Sequence, residues 1–224
     1  MALLLAVDEA PNPWLSWSYL HDNSDAILAA TRQHVTLTAI SVGLGLLLAL
    51  PLALLARRSR HLETLVLGLA GVIYTIPSLA LFAVLAPITG LTEKTVIIGL
   101  TAYTLLVLVR NVLTGLQGVP PDVVEAARGM GLGPTRLLLR VQLPLAAPAI
   151  VAGVRVATVS TIALVTVGAV VSNGGLGQLI FEGFNNNFYR AEILTATLLC
   201  VLLAAVADAL LLAVEWAITP WTRR

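Results

Sequence analysis

Five stretches of this sequence, approximately residues 34–56, 64–88, 95–116, 145–171 and 192–218, are almost free of polar side chains. Each is long enough to supply the roughly 20 helical residues that cross a hydrocarbon core of about 30 Å. In lipid every backbone N–H and C=O must find its partner within the protein, and continuous runs of this length do so as helices. The strands of a barrel are shorter and alternate in polarity. The expected fold class is therefore an all-α integral membrane protein with about five transmembrane helices. Composition agrees, since the chain is 58% hydrophobic with a mean hydropathy of +0.93 and only 11% charged. A water-soluble fold has nowhere to hide that much apolar surface. Thirteen basic and twelve acidic residues leave a net charge of +1, which gives no basic excess for nucleic acid.

Where the charges fall orients the chain. Arg57, Arg58 and Arg60 follow the first run, Arg128, Arg136 and Arg140 lie between the third and fourth, and Arg223 and Arg224 close the sequence. The opposite connections carry Arg32, Lys94 and Arg190. Because cytoplasmic loops concentrate Lys and Arg, the odd-numbered loops and the C-terminus are expected in the cytoplasm and the N-terminus outside. The organisation read from this is an external or interfacial segment 1–33, a transmembrane domain 34–218 and a cytoplasmic tail 219–224. Residues 1–10 lack the basic region and long apolar core of a cleavable signal peptide and read as a retained N-terminus. The aromatic and polar mixture of residues 11–25 suits either a membrane surface or a polar tail. Pro51, Pro77 and Pro87 are expected to kink their helices, and Gly43, Gly45, Gly68 and Gly71 to let neighbours approach closely.

The loop 117–144 is too polar at its start to span and too patterned to be a passive linker. Asp122 with Glu125 three residues on matches a capping box and predicts a short helix through Glu125, Ala126, Ala127 and Arg128. Gly129, Gly131, Gly133 and Pro134 should end it, and a second short helix is expected from about Thr135 to Val141, with Pro144 and Pro148 leading into the fourth span. Taken alone, this is either a stiff docking knob or an ordinary interfacial helical hairpin.

The residues Glu125-Ala126-Ala127, then Gly131 after three more, then Val141, Gln142, Leu143 and Pro144 closely resemble the EAA loop of binding-protein-dependent ABC importer permeases. Val141 stands where isoleucine is more usual in that family. Residues 153–184 and the ending VADALLLAVEWAITP further resemble the glycine betaine, carnitine and choline permeases. The resemblance implies a coupling role for Glu125, Ala126, Ala127, Gly131, Val141, Leu143 and Pro144. It also implies two cytoplasmic ATPase subunits, a second permease chain (identical or paralogous), an external solute-binding protein and an osmoprotectant quaternary amine as cargo. ATP and Mg would belong to the partner ATPase, with no cofactor in this chain.

Other classes of function lack their residues. A P-loop needs a lysine after a glycine-rich turn, and the single lysine, Lys94, follows Glu93 in a short loop. His21, His34 and His61 are scattered and read as isolated polar or interfacial side chains rather than metal ligands. Cys200, alone in an apolar run, reads as an inert thiol. An ion-coupled secondary transporter, the main alternative, would show paired discontinuous helices or inverted repeats, and none is evident. In the external loop 172–191, Gly174, Gly175 and Gly177 read as either a hinge near a gate or a tight turn. Arg155 and Asp208 are the two charges deepest in the spans. Counted from Ala147 and Ile218 they lie about 12 and 15 Å from the same side, so they are expected to pair or to share a polar network, unless Arg155 snorkels to the surface.

Overall fold

The computed structural model describes residues 12–172 and 174–220. The N-terminal stretch 1–10, Pro11, Asn173 and the tail arginines Arg223 and Arg224 lie outside the described residues. A short helix α1 (Trp17–Asp22) is capped by Ser16, whose hydroxyl accepts the Tyr19 N–H at 3.1 Å. Helix α2 (Ser24–Ala56) then starts at Ser24 rather than at residue 34. Asp25, Thr31, Arg32, Gln33 and His34 lower the local hydropathy without breaking helix geometry, and the Thr31 and Thr36 hydroxyls fold back onto the carbonyls of Ile27 and Arg32.

The second apolar run is broken. Helices α3 (Arg60–Thr75) and α4 (Ser78–Thr89) meet at a 96° bend. Pro77 has no N–H and pushes Ile76 out of helical geometry, so the helix stops before it and restarts after it. Helix α5 (Glu93–Gln117) follows, then α6 (Pro121–Gly129), α7 (Pro134–Ser172), α8 (Leu176–Asn185) and α9 (Arg190–Ile218). Among the described residues four helices, α2, α5, α7 and α9, are long and apolar enough to cross a membrane, and five spans result if the bent pair counts as one.

The chain divides into two compact units, with α2, α5, α7 and α9 each contributing to both. One unit holds the described residues up to Ser41, Ile76–Leu100 and Val159–Val206. Its core is Leu37, Phe82, Val96, Leu100, Val165 and Val171, with Phe82 filling the space that Gly99 leaves open. The other holds Val42–Thr75, Thr101–Thr158 and the residues from Ala207 onward. There Ala49, Ala53 and Ala56 form a stripe of small side chains along one face of α2, packed against Leu108, Val112 and Leu116 of α5. A β-carbon on Gly115 would stand 2.9 Å from the Ala146 carbonyl oxygen, and one on Gly153 would stand 2.5 Å from the Asn111 β-carbon, so α5 and α7 meet through glycines. Of the four glycines singled out in the sequence only Gly45 is in such a contact, against Thr104, whereas Gly43, Gly68 and Gly71 face open space.

Candidate functional site

The segment 117–144 differs from its expected form at both ends. Pro120, not Asp122, is the N-cap of α6, no side chain caps the helix, and Pro121 occupies the first turn. A proline costs nothing at that position, because its missing N–H would be unpaired anyway and its φ is already helical. Asp122 therefore sits inside the first turn, where its charge favours the helix dipole. Glu125 and Ala126 are exposed and Ala127 is buried. The helix ends in a Schellman turn: the Leu132 N–H donates to the Ala127 carbonyl at 3.2 Å and the Gly131 N–H to the Arg128 carbonyl at 2.9 Å. Gly131 takes φ +83° at the position where the chain reverses, with no other atoms crowding its α-carbon.

No second separate helix follows. Pro134–Leu137 is one α-turn, Leu138–Gln142 is a π-turn, and both continue without a break into Leu143–Ser172. Val141, Leu143 and Pro144 are thus half-buried in the first turns of a spanning helix rather than in a loop. The reason lies in Pro144, which offers no N–H to the preceding turn and crowds the carbonyl four residues back; the wider π-turn, with the Leu143 N–H reaching Leu138, absorbs both defects. Gln142 is buried, and its amide oxygen accepts from both terminal nitrogens of Arg57 at 3.2 Å. Beside it an open cavity of about 650 Å³ is lined by Arg57, Arg58, Arg128, Pro134, Thr135 and Gln142 among others.

Arg155 and Asp208 meet. The guanidinium makes a fork on the carboxylate, Nε to Oδ1 at 2.9 Å and Nη2 to Oδ2 at 3.0 Å, and its third nitrogen donates to Glu215 at 3.4 Å. Asp208 and Glu215, seven residues apart, present their carboxylates on one face of α9. Glu215 was missed in the sequence, although that spacing of two acids in an apolar helix was the available signal.

Segment 172–191 is mostly helix rather than loop. Gly175 begins α8 with φ +71°. Gly177 is a packing glycine, since a β-carbon there would lie 2.2 Å from the Thr166 carbonyl oxygen, and a β-carbon on Gly174 would run into Gln33. Two left-handed residues, Asn187 and Phe188, turn the chain into α9. Asn12 clamps that turn, donating to the Phe188 carbonyl and accepting from the Arg190 N–H at 2.9 Å each, while Trp14 lies against the Arg190 guanidinium. Tyr19 stacks edge-on against Tyr189 and hydrogen-bonds Glu192. Burial, then the Glu192 carboxylate, holds the Tyr19 phenol well above its ordinary pKa. These groups, with Asp22, Glu182 and Asn186, line an open cavity of about 440 Å³.

Aromatic side chains within the spans are engaged in packing at Tyr74, Phe82 and Tyr103: Phe82 is fully buried, and Tyr74 stacks edge-on against Tyr103. Among the described residues no group of three or more His, Cys, Asp or Glu side chains forms a metal site.

Comparison with known proteins gives this all-helical chain, with its four or five apolar spans, the fold of an ABC importer permease. Residues 41–223 match the family of binding-protein-dependent transport system inner membrane components, and the chain belongs to that family. It is 36% identical over 203 residues to the choline transport system permease protein OpuBB of Bacillus subtilis, covering 90% of this chain and 93% of that one. It is 37% identical over 207 residues to the osmoprotectant import permease protein OsmW of Salmonella typhimurium, covering 90% and 96%. To the carnitine transport permease protein OpuCB of Listeria monocytogenes it is 34% identical over 204 residues, covering 91% and 93%. Among solved structures, an inward-facing form of the MetNI methionine ABC transporter superposes with a TM-score of 0.78 at 21% identity, over 88% of this chain and 98% of that one, and shows the shared fold.

Proposed function

We propose that this chain imports a quaternary-amine osmoprotectant of the glycine betaine, choline or carnitine class. It would work with a second permease chain, two cytoplasmic ATPase subunits that bind ATP and Mg, and an external solute-binding protein. The substrate class is supported by relatives that match nearly the whole chain and are named for those solutes. The observation that carries the coupling role is the construction of residues 120–144. Helix α6 offers the exposed Glu125 and Ala126, its direction is fixed by the Gly131 reversal, and it rests against the π-turn that opens α7. A push on α6 is therefore delivered to the root of a 39-residue helix, about 58 Å long at the usual rise, which is the rigid-body motion alternating access requires.

In this reading the N-terminus and segment 172–191 face outward and the loop 117–144 and C-terminus face the cytoplasm. Arg155, Asp208 and Glu215 tie α7 to α9 as a structural brace and do not contact substrate. Reconstitution in proteoliposomes tests the whole: uptake of radiolabelled choline or glycine betaine should require ATP, the ATPase and the binding protein together. Gradient-driven uptake by this chain alone, without ATP, would overturn the proposal.

A further inference from the structure

Helix α8 begins at a glycine N-cap, so it has no side chain of its own to satisfy its first N–H groups. Two of those groups are satisfied from α2 instead. The Gly175 N–H donates to Gln33 Oε1 at 2.9 Å, and the next, that of Leu176, to His34 Nδ1 at 3.3 Å. His34 is fully buried, and its Nε2 lies 3.0 Å from the Ile162 carbonyl oxygen in α7. A carbonyl only accepts and a backbone N–H only donates, so both contacts are hydrogen bonds in a single state of the ring: neutral, with the proton on Nε2 and the lone pair on Nδ1. An imidazolium would set N–H against N–H at Leu176, and the other neutral tautomer would mismatch both partners. Gln33 is itself oriented, its amide nitrogen donating to the Glu93 carboxylate. The two glycines fit this arrangement, because a β-carbon on Gly174 would collide with Gln33 and one on Gly175 would stand 3.3 Å from His34 Nδ1.

We infer that Gln33 and His34 form a remote N-cap that positions α8, with His34 as the Nε2-protonated neutral tautomer joining α2, α7 and α8, so that segment 174–185 moves with α2 rather than as a free flap. The cap is a property of the fold; only its consequence for transport rests on the proposed outward placement of 172–191 and on taking the hinge, rather than the tight turn, as the role of its glycines.

Hydrogen exchange in the assembled importer tests it. In His34→Asn the amide oxygen takes the place of Nδ1 and keeps the acceptor for Leu176. In His34→Gln the amide nitrogen takes the place of Nε2 and keeps the donor to Ile162 but loses that acceptor. The inference expects the peptide covering 174–185 to exchange about tenfold faster in the Gln variant and within about threefold of wild type in the Asn variant. Equal protection in wild type and His34→Gln overturns it. If neither variant assembles, ¹⁵N NMR of the imidazole in an otherwise wild-type His21→Gln, His61→Gln complex decides: an Nε2–H ring supports the cap, and an Nδ1–H or doubly protonated ring removes it. Faster exchange with unchanged uptake would support the cap while counting against 172–191 as the gate, so the two readings fail separately.

Discussion

At Gly131 the requirement is for backbone geometry alone. Its φ of +83° closes the Schellman turn, and no atom lies close enough to reject a side chain. Placing a β-carbon in that left-handed geometry costs about 1–2 kcal/mol, less for asparagine, which tolerates it. Gly131→Leu should therefore leave the cavity intact but misdirect α6, lowering uptake about tenfold while ATP hydrolysis persists, with Gly131→Asn falling between it and wild type. The ratio of solute moved to ATP hydrolysed in proteoliposomes measures this, and a normal ratio in Gly131→Leu would exclude the turn from coupling. Arg155 poses the opposite case, in which side-chain charge decides. Arg155→Asp and Asp208→Arg should each reduce the amount of complex recovered from membranes. The double swap should restore only part of it, because the carboxylate introduced at position 155 still faces Glu215. Wild-type yield from both single variants would show that the fork on Asp208 is dispensable.

How much of each element was legible depends on where its partners lie in the chain. The apolar runs were readable because bilayer thickness sets their length, and α5 and α9 lie within a few residues of expectation. The break in the second run was announced by Pro77, yet hydropathy stays high on both sides, so the sequence showed a kink where the structure has a 96° bend. The early start of α2 was hidden because hydropathy tracks polarity, and the polar residues that open this helix include the two that cap α8. Their partners stand 142 residues away, a distance no local pattern spans. Gly174, Gly175 and Gly177 looked alike in sequence but have three reasons to be glycine: a collision with Gln33, a positive φ, and close packing on Thr166. Only the second concerns the turn. Gly177→Ala should accordingly destabilise the packing of α8 on α7 by about 1–3 kcal/mol, read as a lowered midpoint in thermal unfolding of the purified complex. An unchanged midpoint would mean that α8 shifts freely, against the positioning inferred from His34.

For the molecule as a whole, the arginines decide which side each end faces. Arg57, Arg58 and Arg128 line one cavity in the unit that also holds residues 120–144, whereas Asp22, Glu182 and Glu192 line a cavity in the unit containing α8. A cluster of arginines is retained on the cytoplasmic side during insertion, and carboxylates impose little preference, so the connection that carries Arg57 and Arg58 is expected in the cytoplasm and the connection that leads into α9 outside. Two single-cysteine variants in a Cys200→Ser background test the assignment, His61→Cys in the exposed start of α3 and Asn185→Cys at the exposed end of α8. An impermeant maleimide added to intact cells should label Asn185→Cys and leave His61→Cys unmodified until the membrane is opened. The reverse pattern would invert the protein, placing residues 120–144 on the face away from any cytoplasmic ATPase and removing the coupling role proposed for α6. Labelling of both positions from outside would instead mean that the bent pair α3–α4 does not cross, since three crossings between His61 and Asn185, the bent pair, α5 and α7, put the two on opposite sides and only an even number lets them share one.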